Sequence, residues 1–294
     1  MTTTADPTAR RMWRLLEPLH AVTYFAPEAA EALRGAGLKG FWMGYFAARA
    51  APMGPVGPAV VEATFYNFAP ALVRRALPDA WGFAPPASVL EARLTGVAQA
   101  LGPLIAGAAS ARALERTAEL ALAATEGLSV EGRPLAAANL ALAPPDEPLL
   151  ALWQAATVLR EHRGDGHVAT LVESEVGGCE AHVVMVGTGV ISRAILQAAR
   201  GWSDDEWTAA AEHLRQRGLL DSDGGLTDTG RSWRRGVEDD TDRLAAGPWS
   251  RLGDTRSEEL AGLLAPMTAA VVTAGLFPVV NPIGLDLRQA GFGG

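Results

Sequence analysis

The 294-residue chain has a single cysteine, Cys179, and a single lysine, Lys39. One thiol excludes an intramolecular disulfide and any paired-cysteine zinc motif, and it fits a reducing compartment. Cys179 reads more simply as a small buried hydrophobe than as a nucleophile. Aromatic residues make up only 6% of the chain and charged residues 20%, against 49% hydrophobic. That is the balance of a packed globular protein. No stretch of about 18 apolar residues escapes interruption by charge, proline or glycine, so no membrane span is expected. The opening segment MTTTADPTARRMW has no apolar signal-peptide core, and a cytoplasmic location is expected. A serine nucleophile elbow, a phosphate loop and a Gly-rich dinucleotide fingerprint are all missing, which removes the commonest enzyme classes.

Basic residues are outnumbered 25 to 33, giving a net charge of −8, the wrong sign for attracting a polyanion. Arginine, alanine and glycine fill the places of lysine and isoleucine, a coding bias that points to a GC-rich, actinobacterial source.

What is present reads as mostly α. Met12, Leu15, Leu16 and Leu19 recur at helical spacing. Pro27 suits a first helical turn, and Pro52–Pro58 cannot continue a helix. Ser88–Thr125 reads as one or two long helices. Pro144-Pro145-Asp146-Glu147-Pro148 is the best linker, which sets a helical domain at 1–145 and a second domain at 146–294. Within the second, Ser192–Ala199 is a short helix, and Ser203 with Glu206 forms a capping box for the next. Leu219–Thr227 predicts two short strands around Asp-Gly-Gly, and Thr229 caps a helix to Leu244. A last helix over Ser257–Ala274 and a coil over Pro278–Gly294 complete the chain. The order is that of a winged helix-turn-helix with a short β-hairpin wing.

The segment Leu226-Thr227-Asp228-Thr229-Gly230 resembles the MarR-type arrangement, where a leucine-threonine-x-x-glycine segment follows the wing. More widely, Pro18–Glu28 (PLHAVTYFAPE), Tyr45–Gly54 (YFAARAAPMG), Phe65–Phe68 (FYNF) and Leu159–His167 (LREHRGDGH) resemble an actinobacterial helix-turn-helix family. The resemblance implies a fold and, by analogy only, DNA binding; it implies no residue roles. Charge argues the other way. Between Gly201 and Asp228 stand seven acids and two arginines, and Asp204, Asp205 and Glu206 occupy the start of the recognition helix. Arg193, Arg200, Arg231, Arg234 and Arg235 flank this region, and a homodimer would gather them.

Three constellations carry possible chemistry. In Glu161-His162-Arg163-Gly164-Asp165-Gly166-His167 the two glycines predict a sharp turn that gathers polar side chains. Asp165 then caps a helix beginning at Val168; alternatively His167 is a general base oriented by Asp165, with His162 and Arg163 beside it. His162, Asp165 and His167 suit a divalent ion by type, but their spacing matches no strong metal motif. No metal is assigned and no cofactor follows. His20, Tyr24 and Glu28 share a spacing of four, interrupted by Pro27. Trp42, Tyr45, Phe46, Phe65, Tyr66 and Phe68, with Arg49 and Glu62, form either a core or a pocket for an aromatic or apolar molecule. The candidate ligand set is His20, Tyr24, Tyr45, Arg49, Glu62 and Tyr66. The leading reading is a small-molecule-binding protein, an enzyme of specialised metabolism being one form, with the winged helix used for structure or dimerisation. The alternative is a MarR-like regulator that senses a small molecule and binds DNA.

Overall fold

A computed structural model describes residues 7–278 and 280–285. The coil expected beyond Pro278 lies largely outside the described residues. Sixteen α-helices form among those described, as the mostly-α reading expects. Six begin on a proline, whose fixed φ and missing N–H suit a first turn. α1 (Thr8–Phe25) stops at Ala26, before Pro27 opens α2 (Pro27–Gly35). α3 (Gly40–Ala50) carries four aromatic residues and runs into a 3-10 turn over Ala51–Met53. α4 (Pro58–Phe65), α5 (Pro70–Arg74) and α6 (Ala80–Phe83) are short. α7 (Pro86–Ala108) and α8 (Ala111–Thr125) meet at Ser110, whose hydroxyl caps α8 by accepting the Ala113 N–H at 3.2 Å. α9 (Pro134–Leu140) precedes the central helix α10 (Pro148–Glu173).

The main core draws on both ends of the chain. Leu16 of α1, Leu101 of α7, Leu120 of α8 and Leu152 and Trp153 of α10 pack together with Leu260 and Leu264 of the last helix. A second core gathers Phe46, Phe65, Phe68 and Leu77. Burial of this apolar area is what stabilises helices of such modest individual propensity.

The helix-turn-helix consists of α11 (Gly178–Gly187), α12 (Arg193–Arg200) and α13 (Asp204–Gln216), around Cys179, Val184, Trp207 and Leu214. The turn between α12 and α13 uses Gly201 at φ +78°, and Ser203 and Glu206 form the expected capping box. Thr227 caps α14 (Asp228–Leu244), accepting the Gly230 N–H at 3.0 Å. α15 (Gly247–Leu252) and α16 (Asp254–Thr273) return to α1, α7 and α8.

The β-hairpin wing does not form. No strand or sheet occurs among the described residues; a single antiparallel bridge joins Leu220 and Leu226. The antiparallel pairing is limited to two backbone bonds, from Asp221 N–H to the Gly225 carbonyl (2.9 Å) and from Thr227 N–H to the Leu219 carbonyl (3.1 Å), before Thr227 caps α14. The Asp221 carboxylate takes the N–H groups of Asp223 (3.0 Å) and Gly225 (2.8 Å), closing a tight turn. Leu226 donates its N–H outward to the Gly187 carbonyl of α11, which holds this turn against the helix.

The turn expected at residues 162–167 is also absent, because α10 continues through it. Gly166 leaves room for a packed side chain. A Cβ there would lie 2.8 Å from Nη1 of Arg133 and 3.3 Å from Leu244. The Arg133 guanidinium crosses at this point to donate to the carbonyls of His162 and Leu244.

Candidate functional site

An unbroken helix separates the four polar residues of α10 by angle. Arg163 and His167, four apart, point into a cavity of about 560 Å³. His162 and Asp165, three apart, do not line it. Asp165 is buried against α9, where it accepts the Ala136 N–H at 2.9 Å; burial pushes its carboxyl up to about 7. It therefore caps a helix, but α9 and not one beginning at Val168. His162 is buried with Nδ1 unpartnered, and burial holds it down at about 4. Among the described residues no three His, Cys, Asp or Glu side chains gather as a metal set. Cys179 is buried, and burial pushes its thiol up to about 12, far from a reactive thiolate.

The cavity lies between the N-terminal helices, α10, α14 and the helix-turn-helix. One part of its wall is aromatic. Phe41, Trp42 and Tyr45 of α3 meet Tyr24, Phe65 and Phe68, with Tyr24 and Tyr45 ring centres 5.0 Å apart and Tyr45 and Phe68 5.3 Å apart. The rest is strongly cationic for an acidic protein: seven arginines line it against three glutamates. Buried ion pairs hold most of that charge. Arg49 donates through Nη2 to both oxygens of Glu161 at 3.1 Å, and Arg160 donates to the same carboxylate at 2.8 Å. Although burial opposes ionisation, these two cations hold the Glu161 carboxyl down at about 2. Glu17, fully buried, takes Trp13 Nε1–H at 2.7 Å and faces Arg160 at 3.4 Å. Arg163 donates to Asp242 at 2.6 Å and sits 5.0 Å over the Trp13 ring; Arg234 pairs with Glu238.

Two histidines repeat one device. Thr157 gives its hydroxyl proton to the Trp153 carbonyl (2.9 Å), so it accepts Nδ1–H of His20 at 3.0 Å. Nε2 of His20 then accepts the Tyr24 hydroxyl at 2.8 Å. Likewise Thr241 donates to Val237 (2.7 Å) and accepts Nδ1–H of His167 at 3.0 Å. Here the Nε2 lone pair remains on a residue of the cavity wall. Burial lowers the pKa of both rings, that of His167 to about 4, so each is neutral at neutral pH.

Of the ligand set read from sequence, Tyr24, Tyr45 and Arg49 line the cavity and His20 supports Tyr24 from behind. Glu62 does not line it; it pairs with Arg74 at 2.8 Å near the surface. Tyr66 does not line it either. Its backbone sits at φ +56°, a costly conformation for a non-glycine residue, and its hydroxyl donates to the Val176 carbonyl at 2.6 Å. The next carbonyl, of Asn67, accepts from His182 (2.9 Å) and Trp202 (3.1 Å). This strained turn thus clasps the helix-turn-helix to the N-terminal body.

Sequence reasoning missed Trp13, Glu17, Arg160, His182 and Arg200 as wall residues. A signal existed for Glu17 and for the Arg160–Glu161 pair, charges set within otherwise apolar helical faces. His182 Nδ1, Asn67 Oδ1, Arg49 Nε and Arg200 Nε all belong to the wall and are buried without a partner among the described residues. No curated protein and no solved structure matches the chain. Residues 9–278 match the model of a helix-turn-helix family, spanning the aromatic helices, most of the cavity wall and the α11–α13 unit alike, and the chain belongs to that family.

Proposed function

We propose that this protein is a ligand-responsive DNA-binding regulator, with a small molecule held in the arginine- and aromatic-lined cavity. The observation that carries this reading is the shared wall. Residues of the helix-turn-helix, His182 and Met185 of α11 and Ala199 and Arg200 of α12, enclose the same space as Tyr45 and Phe68. A molecule that fills the space touches both units, and one that binds two arrangements unequally shifts the balance between them. A volume of about 560 Å³ suits a small organic ligand. Membership of a helix-turn-helix family supports DNA as the output.

A second reading, in which the helix-turn-helix is a structural wall or a dimer contact, is favoured by charge. Exposed Asp204, Asp205 and Glu206 head α13. Arg193 is tied to Asp204 at 2.6 Å and Arg231 to Asp228 at 2.7 Å, while Arg200 and Arg234 face the cavity. Titration of labelled mixed-sequence duplex DNA at low salt separates the two. Binding that weakens steeply with added salt supports the regulator; no binding at low salt supports the structural reading. Native mass spectrometry of the purified protein tests the cavity itself, through a small molecule retained at one per chain.

A further inference from the structure

Arg200 is the last residue of α12 and is 9% exposed. Five other arginines of the cavity wall meet a carboxylate: Arg49 and Arg160 share Glu161, Arg10 and Arg163 share Asp242, and Arg234 takes Glu238. Arg200 meets none among the described residues. It donates to the carbonyls of Ala199 (3.2 Å) and Pro282 (2.8 Å), and Nε–H has no partner. Two donations leave most of a five-donor guanidinium unsatisfied. Burial lowers its pKa to about 10, the direction expected of a cation taken from water without a counter-ion. A position at the C-terminus of a helix compensates part of that charge, but it leaves Nε–H without a partner.

The guanidinium lies 4.6 Å over the Phe68 ring. Phe68 in turn touches Trp42 and Tyr45, with ring centres 6.0 and 5.3 Å away. A planar cation edge therefore stands beside a group of flat apolar faces in one cavity. The fork of an arginine accepts a carboxylate through two parallel N–H···O bonds, and the adjacent faces accept an aromatic ring.

We propose that the cavity binds an aromatic carboxylate, its anion paired with Arg200 and its ring laid against Phe68, Trp42 and Tyr45. This inference rests on the reading of the cavity as a ligand site and names the ligand's chemical class.

The test is calorimetric titration of the full chain with 2-naphthoate and with methyl 2-naphthoate, which has the same rings and no charge. The expected result is one naphthoate per chain, bound at least tenfold more tightly than the ester. Arg200→Gln is expected to abolish that preference while leaving ester binding in place. Equal affinity of the two compounds for the unaltered chain overturns the anion assignment and leaves the cavity reading standing; that comparison needs no variant to fold. Retention of the preference in Arg200→Gln also overturns it. Binding of neither compound overturns the aromatic-carboxylate assignment, and the cavity reading is then decided by native mass spectrometry.

Discussion

His167 gives its Nδ1 proton to the hydroxyl of Thr241 at 3.0 Å, and the Thr241 hydroxyl in turn donates to Val237. The ring is thereby fixed as a neutral tautomer with Nε2 as acceptor. Burial lowers the pKa of His20, His162, His167 and His182 alike, to about 4 for His162 and His167 and about 3 for His182. A histidine whose folded pKa lies below its unfolded value of about 6.5 stabilises the fold fully above that pH. The stability is lost as the pH falls from about 6.5 toward 4, on the order of 3 kcal/mol for His162 alone. Asp165, raised to about 7, has the opposite sign but is one group against four. Thermal melts between about pH 4.5 and 7.5 are expected to show a melting temperature that rises with pH and levels off near 6.5. A flat profile contradicts the buried neutral histidines.

Glu161 anchors two buried arginines. Replacing it as Glu161→Gln leaves Arg49 and Arg160 facing a neutral amide. A loss of about 3–5 kcal/mol is expected from denaturant unfolding. A loss under about 1 kcal/mol would show that the pair is exposed to water in solution.

Asp165 and His167 stand on opposite faces of α10, so their substitutions should separate. Asp165→Asn keeps an acceptor for Ala136 N–H and removes a buried charge; equal or higher stability at about pH 8 is expected, with naphthoate affinity unchanged. His167→Ala removes a wall residue, and a change in the affinity or heat of ligand binding is expected with a modest change in melting temperature. Loss of binding in Asp165→Asn alone would restore a catalytic or ligand role to the carboxylate.

Gly178 admits the Tyr66 carbonyl to the start of α11. A Cβ at residue 178 would lie 2.1 Å from that oxygen, which belongs to backbone and cannot swing aside. Gly178→Ala is expected to cost about 3 kcal/mol or more and to raise amide exchange in α11–α13 before it does so in α10. Uniform destabilisation would show that the helix-turn-helix and the body unfold as one unit.

Local chemistry was legible in the sequence. Proline starts, the Ser203–Glu206 capping box and the Gly201 turn each depend on residues a few positions apart, and the helix-turn-helix emerged from them. The i, i+4 pair His20–Tyr24 was visible for the same reason. The Gly164-Asp165-Gly166 run was misread because the cause of one of its glycines lies elsewhere: Arg133, 29 positions from the His162 carbonyl it binds, crosses at Gly166. The hairpin reading fails because the Asp221 side chain takes the Asp223 and Gly225 N–H groups and pairing stops at one Leu220–Leu226 bridge, local chemistry that an Asp-Gly-Gly turn allows as readily as a hairpin. Arg49 and Glu161 fall in separate groups of the sequence, and their union across 112 positions is a product of the fold.

The most direct measurement of the central claim is fluorescence anisotropy of a labelled duplex, titrated with the protein at low salt, with and without saturating 2-naphthoate. Binding of the duplex, weakened by salt and altered severalfold by the naphthoate, is the expected result. If the duplex stays free at low salt, with naphthoate present or absent, the helix-turn-helix is a wall of the cavity and not a reader of DNA.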